Sequence, residues 1–443
     1  MDKKIAIENN IKKLYFLSRD TKVAYDCFNI LYPDINIESH YIYSSRRSVS
    51  IPLFKSKKDL LVEVYKTIYS TTISAWLENR FGITKDQYSV EVLQKYSLKD
   101  YDHPIGGKFS KDKLSQLVCE LSDIILENAK QERINLIDYL SSHGMDTNEN
   151  IAVVDIGYAA SMQSAYQKIL NKENIHGIYY ATFNSALKNV SDSSLLHGYS
   201  VHLENPSSPK YGICSHRFFY ETIFCDADNS FIKPIKTNNG FEIVKSKFDD
   251  STRQTVVKEI HSGVLALAHD LAENYSSSVL NGYIDPSLGS FLFDSFLKTP
   301  NKNDAEMFKG VLFEDATGPN IRRYLFVPDE YKNDKKTIDN MIWKEAASLF
   351  INPTPSQDVK IKSEPPVKNI NNTISTKQNK NDKVKAKPSE CKQNRVAVIE
   401  RVIFELFLKG KKKNKYLRDR SMFFKDSNNK FISHYYKIIG SKF

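Results

Sequence analysis

Residues 151–170, IAVVDIGYAASMQSAYQKIL, decide the fold. Four apolar residues lead to Asp155, Gly157 centres a turn, and a helix follows. This is the repeating unit of open parallel α/β sheets, which bind phosphorylated ligands outside the carboxyl ends of their strands, beside a helix N-terminus. Two earlier segments read the same way. KKLYFLSRDTKVAYDCFNIL, residues 12–31, is an apolar strand, a polar turn with Ser18, Arg19 and Asp20, and a helix. IESHYIYSSRRSVSIP, residues 37–52, is an alternating strand that ends in Ser44, Ser45, Arg46, Arg47 and Ser48. If the strands lie parallel with helical crossovers, the three ends meet on one rim.

The rest of the chain fits that frame. Amphipathic helices are predicted at about 58–80 and 111–130, and NIHGIYYATFN, residues 174–184, supplies another strand. Residues 211–246 read as a helix followed by a hairpin, and 250–275 and 304–351 as helical. The expected fold is therefore α/β, a mostly parallel Rossmann-like sheet flanked by helices, with a helical C-terminal part. The expected organisation is an α/β catalytic domain over 1–246 and a helical extension packed on it over 247–351. A disordered, flexible linker follows at 352–395, then a basic amphipathic tail at 396–443.

Charge divides the chain in the same place. Residues 352–443 hold 22 Lys or Arg against 8 Asp or Glu, which leaves 41 basic against 45 acidic residues in 1–351. The overall net charge of +10 thus belongs to the tail. The linker, rich in Asn, Lys, Pro, Ser and Thr, lacks the apolar residues that would offset the entropy of ordering it. In the tail an apolar run with Val398, Val402, Phe404, Leu406 and Leu408 precedes Lys411, Lys412, Lys413, Lys415, Arg418 and Arg420, with Phe423 and Phe424 beside them. That composition suits an anionic membrane surface, each basic residue contributing roughly 1 kcal/mol near it. A helix docking on a partner protein is the alternative, and nucleic acid is not expected. The five cysteines have neither disulfide-framework nor zinc spacing. With no apolar h-region at the N-terminus and no long apolar run, the expected location is cytoplasmic, peripheral to the inner face of the cytoplasmic membrane.

Four segments in order, YFLSRDT (15–21), YIYSSRRS (41–48), VDIGYAASMQ (154–163) and YETIFCDADNS (220–230), resemble a region found in large bacterial proteins of capsule and O-antigen loci. There it accompanies HAD-type hydrolase domains and carries the patterns YFLARDG, YLYVSRRA, VDIGWxGTxQ and ELLFSAP. The resembling region, about 12–235, looks like the phosphoribosyltransferase module of two-step bacterial ribofuranosyltransferases. KYLRDRSMFFKDS, residues 415–427, is similar to the KLxRDPxxFFxDS ending of many capsule and lipopolysaccharide enzymes. Thr21 and Ala160 stand where the family has glycine.

The resemblance implies transfer of 5-phosphoribose from phosphoribosyl pyrophosphate (PRPP) to a lipid-linked or growing glycan acceptor; the donor's pyrophosphate in turn calls for magnesium as cofactor, since phosphate usually supplies most of that ion's ligands. It also implies a separate HAD-type phosphatase. Such a phosphatase needs a second Asp two residues after its nucleophile, whereas Gly157 follows Asp155 and Lys22 follows Asp20 at that distance. The alternatives are a HAD-type hydrolase and a non-catalytic membrane scaffold for capsule enzymes.

For the transfer, Asp20, Asp155 and Glu221 are the candidate catalytic carboxylates, Asp20 and Asp155 also as magnesium ligands. Glu221, beside Phe218, Phe219 and Tyr220, is a candidate base. Arg19, Ser45, Arg46, Arg47, Gly157, Tyr158, Ser161 and Gln163 are candidate substrate-binding residues, the arginines through forked donors to phosphate and residues 157–161 as a cradle at a helix N-terminus. Each has a structural alternative: a helix cap, an ion pair or a solvated basic turn. His103 and His216 are weaker candidates of the same kind.

Overall fold

The structure, a computed structural model, describes residues 2–350 apart from 69, 108, 209, 248–250, 276–285, 315–321 and 327–340. The expected linker and tail lie outside the described residues. Contacts divide the chain into two units, Met1–Asp358 and Val359–Phe443, so the segments expected to form a catalytic domain and its helical extension fall in one unit.

The central sheet is parallel and runs in the order β2 (Glu38–Ile42), β1 (Lys13–Leu17), β5 (Ile151–Tyr158), β6 (Ile175–Phe183), β7 (Leu196–Glu204). Its inner strands are buried on both faces, which is why they read as near-continuous apolar runs. Leu14, Phe16, Ala152 and Val154 pack on one side with Phe28 from α2 (Lys22–Leu31) and Ala6 from α1 (Asp2–Glu8). Tyr15, Leu17, Ile151 and Val153 pack on the other with Tyr166 from α9 (Ser161–Leu170) and Leu136, Tyr139 and Leu140 from α8 (Ser122–Ser142). Each buried Leu, Ile, Val or Phe among them contributes roughly 1.5–3 kcal/mol.

From β1 the chain crosses outward to β2, while from β5 it steps the other way to β6 and β7. The order reverses between β1 and β5, and a crevice opens there at their carboxyl ends. Strand β2 leads into α3 (Arg46–Ser50), whose Ser45 N-cap forms a reciprocal capping box with Ser48.

Between α3 and β5 the chain builds a helical layer with its own core, in which Trp76, Phe81, Leu93, Leu117 and Ile125 are buried. Here the single helix expected at 58–80 is two, α4 (Lys57–Val64) and α5 (Ile73–Phe81). The β-branched and hydroxyl residues around Thr71 and Thr72 break it: they form β3 (Thr71–Thr72), paired with β4 (Pro104–Ile105), and Thr72 then caps α5 through Ala75 N–H. A short helix, α6 (Val90–Gln94), lies between α5 and β4. The helix expected at 111–130 is α7 (Lys111–Glu120) abutting the longer α8.

After β7 come α10 (Gly212–Phe224), the hairpin β8 (Phe231–Thr237) and β9 (Gly240–Lys245), and α11 (Ser251–Asn274), which packs on α2. The expectation of helix throughout 304–351 is corrected. Leu312–Glu314 pairs antiparallel with Arg322–Tyr324, between the short helices Lys302–Glu306 and Lys344–Ser348. Val311, Phe313, Leu325 and Phe326 are buried there around Trp343 and Phe219, an arrangement that extended chain supplies and a helix would not.

Candidate active site

A cleft of about 860 Å³, its open mouth included, lies at the carboxyl ends of β1 and β5. Three elements of the sheet bring polar groups to it: Ser18, Arg19 and Asp20 after β1; Ser44, Ser45 and Arg46 after β2; and Asp155, Gly157 and Ser161 from β5 and the start of α9. Glu221 and Thr222 enter from α10, Cys225 and Ser230 from the segment that follows it, and Arg253 from α11. Met162, Phe231, Leu312 and Phe313 form an apolar wall. Of the residues anticipated from sequence, Asp20, Asp155, Glu221, Arg19, Ser45, Arg46, Gly157 and Ser161 share this one hollow.

Its electrostatics are those of acids held against one another in a low-dielectric place. Burial raises the Asp155 carboxyl, the Asp20 charge raises it further, and Glu221 adds to both, so that it is pushed up to about 8 despite a hydrogen bond from Ile156 N–H (2.8 Å) and the charge of Arg46. Burial also raises Asp20, opposed by Arg19, Arg46, a hydrogen bond from Cys225 and Arg253. Around neutral pH Asp155 therefore retains its proton in much of the population.

Two acids that repel each other beside arginines fit a magnesium ion shared with a phosphorylated ligand. Magnesium commonly takes one or two carboxylates and completes its octahedron with phosphate oxygens and water. Among the described residues no group of three or more His, Cys, Asp or Glu could hold a metal alone, so Asp20 and Asp155 would need the ligand's oxygens.

The backbone at α9 is shaped for close approach. Gly157 has φ +134°, and a Cβ there would run into the carbonyl oxygen of Ala181 on β6. Ala160 precedes α9 at φ +55°, the left-handed region, and no side chain caps the helix. Ser161 is thus not the N-cap but the first helical residue, exposed at the cleft with the helix's unshared N–H groups behind it. Thr21, the other departure from the resembling family, has φ −120° and donates its hydroxyl to Leu17 O (2.7 Å), a conformation open to any residue.

Three anticipated binding residues are placed elsewhere. Arg47 turns from the cleft: its two terminal nitrogens meet the buried Glu132 carboxylate at 3.0 and 3.1 Å, and Nη1 also donates to Ile232 O (2.9 Å). Tyr158 is buried, stacked on Phe183 at 4.9 Å, with its hydroxyl donating to Arg217 O. Gln163 is fully buried, donating to Ile175 O (2.8 Å) and Leu195 O (3.2 Å) and accepting from the Tyr179 hydroxyl (2.7 Å). It bonds α9 to the sheet and is structural. His103 and His216 also lie off the cleft; His103 Nδ1 accepts from Lys99 N–H, and buried His216 faces Glu345 at 3.2 Å.

Arg253, Cys225, Thr222 and the apolar wall were not anticipated. Cys225 and Ser230 lie inside the YETIFCDADNS segment and its position next to Glu221 was the available signal; Arg253 had none. Compared with protein-family models and with curated proteins, the chain finds no match. No described helix is long and apolar enough to cross a membrane.

Proposed function

We propose that the chain is a PRPP-dependent glycosyltransferase that moves 5-phosphoribose to a hydroxyl of a capsule or O-antigen glycan, lipid-linked or growing. A separate HAD-type phosphatase would then remove the 5-phosphate. One observation supports this most: acids, arginines and hydroxyls from three strand ends far apart in sequence line a single cleft at the sheet's switch point, together with Glu221.

In this reading the bond from the ribose anomeric carbon to pyrophosphate breaks as a bond to the acceptor oxygen forms. Charge growing on pyrophosphate is met by Arg19 and Arg46. Ser45, Ser161 and the uncapped N–H groups of α9 receive the 5-phosphate. Glu221, in its aromatic setting, takes the acceptor proton. Asp20 and Asp155 would hold magnesium, Asp155 giving up its proton as the ion arrives, and the metal would supply positive charge for the departing pyrophosphate. The lysine-rich tail holds the enzyme against the anionic inner leaflet, close to a lipid-linked acceptor.

The test is incubation of the protein with labelled PRPP, magnesium and acceptors from its own glycan. A product heavier by one phosphopentose is expected, lost in Asp155→Ala while vesicle binding persists. Release of phosphate from a phosphosugar, with no pentosylated product from any acceptor, would instead favour the hydrolase. Glycan assembly that survives Asp155→Ala would favour the scaffold.

A further inference from the structure

We infer that Arg253 is a donor-binding residue that makes the cleft select a diphosphate over a monophosphate. The inference rests on the proposed transfer and deepens it.

Arg253 lies near the start of α11, in the part of the chain read from sequence as an extension outside the catalytic domain. It nevertheless lines the cleft and is only 2 % exposed. A guanidinium so buried must be answered by charge or hydrogen bonds. Its Nη1 donates to Asp226 O (3.1 Å), which fixes the plane of the fork, and its charge acts on Asp20. Arg19 is held in a related way: Nη1 donates to Asp228 O (3.3 Å), and Asp226 N–H donates to Arg19 O (3.0 Å). The segment from Cys225 to Ser230 therefore hangs between two arginines that also line the cleft.

Formal charges make the third arginine decisive. Arg19, Arg46 and Arg253 stand against Asp20, Asp155 and Glu221 in the one cleft, so removing one arginine makes the hollow one charge less positive whichever of its acids hold protons. The Coulomb energy between one guanidinium and a ligand scales with the ligand's charge. Loss of Arg253 must then weigh more on pyrophosphate than on phosphate. Three planar forks from three elements also suit two linked phosphoryl groups, whereas a single phosphoryl group can be met by fewer.

The test is calorimetric titration of the full chain with inorganic pyrophosphate and, separately, inorganic phosphate, in magnesium at fixed ionic strength. The wild-type protein is expected to prefer pyrophosphate. Arg253→Gln should lose roughly 10- to 100-fold of pyrophosphate affinity, the worth of hydrogen bonds to a charged group, with a clearly smaller loss for phosphate. Arg253→Lys, which keeps the charge without the fork, should fall between. An unchanged ratio of the two affinities in Arg253→Gln overturns the inference and leaves the transfer reading standing. Wild-type protein that binds neither anion overturns both. Should neither variant fold, a structure of the wild-type protein with pyrophosphate decides: a phosphate oxygen within hydrogen-bond reach of Arg253 supports the inference, and a ligand out of its reach ends it.

Discussion

Asp155 holds a proton that an exposed aspartate would have released, and folding stability must register it. Below pH 4 the carboxyl is protonated in both the folded and the unfolded chain and costs nothing. As pH rises the unfolded chain gives up its proton near 4 while the folded chain keeps it to about 8, so stability is lost across that window. Asp155→Asn removes the cost. Its melting temperature is expected to match wild type near pH 4, to gain steadily up to pH 8, and to level off above, the plateau amounting to several kcal/mol of stability. A difference that does not change with pH would refute the raised Asp155 carboxyl. Ala160 offers a second check at this scale. At φ +55° it carries a strain of about 1–2 kcal/mol that glycine escapes, although glycine makes the unfolded chain more disordered. Urea midpoints should show Ala160→Gly close to or above wild type and Ala160→Val about 2 kcal/mol below, because a β-branched side chain tolerates this region worst.

Elements are joined by side chains that the sequence suggested for chemistry. Arg47 links α3, α8 and β8 through Glu132 and Ile232 O, with Lys233 3.2 Å from the same carboxylate. Arg47→Gln leaves that buried acid with Lys233 as its remaining cation and should cost about 2 kcal/mol in urea unfolding. Glu132→Gln added to it should recover much of that loss, and pyrophosphate affinity should stay at the wild-type level wherever the variant is folded. Neighbours such as Arg46 and Arg47 look alike in sequence, yet on a helix they point about 100° apart, so only one can face the cleft. That rotation depends on where α3 begins, and the Ser45 cap that sets it is a tertiary outcome as much as a local one. Strands β1, β5 and β6 were legible because both of their faces are buried and their apolar runs end at turns. Strand β7, LHGYSVHLE, went unread: it has only two buried residues, Leu196 and Val201, and no periodicity to mark it. The split of α4 from α5 and the ladder after residue 311 were hidden for another reason. Local apolar content suited a helix, and only pairing with distant segments decided otherwise. Arg253 is the same case in the site, a residue in an ordinary helix brought to the cleft by packing.

At the scale of the whole molecule, charge divides the chain in two. Residues 1–351 are slightly acidic and hold the cleft, whereas the last 92 residues, 352–443, carry the surplus of lysine and arginine. If the tail binds anionic lipid, replacing Lys411, Lys412 and Lys413 with glutamate in the full chain should abolish cosedimentation with phosphatidylglycerol vesicles, and added salt should weaken the wild-type interaction likewise. Transfer to a soluble acceptor should be unaffected, while transfer to a lipid-linked acceptor in vesicles should drop. Retention of vesicle binding would redirect attention to a protein partner for the tail.

The reversal of strand order between β1 and β5 also bears on how the protein is made. Strand β1 leaves the ribosome well before its neighbour β5, which comes only after the whole helical layer has been translated, and Arg253 and Phe313 emerge later still. A nascent chain therefore carries half of a charged hollow with no opposite bank, and products of premature termination should be inert fragments for proteases to clear, not weakened forms of the protein.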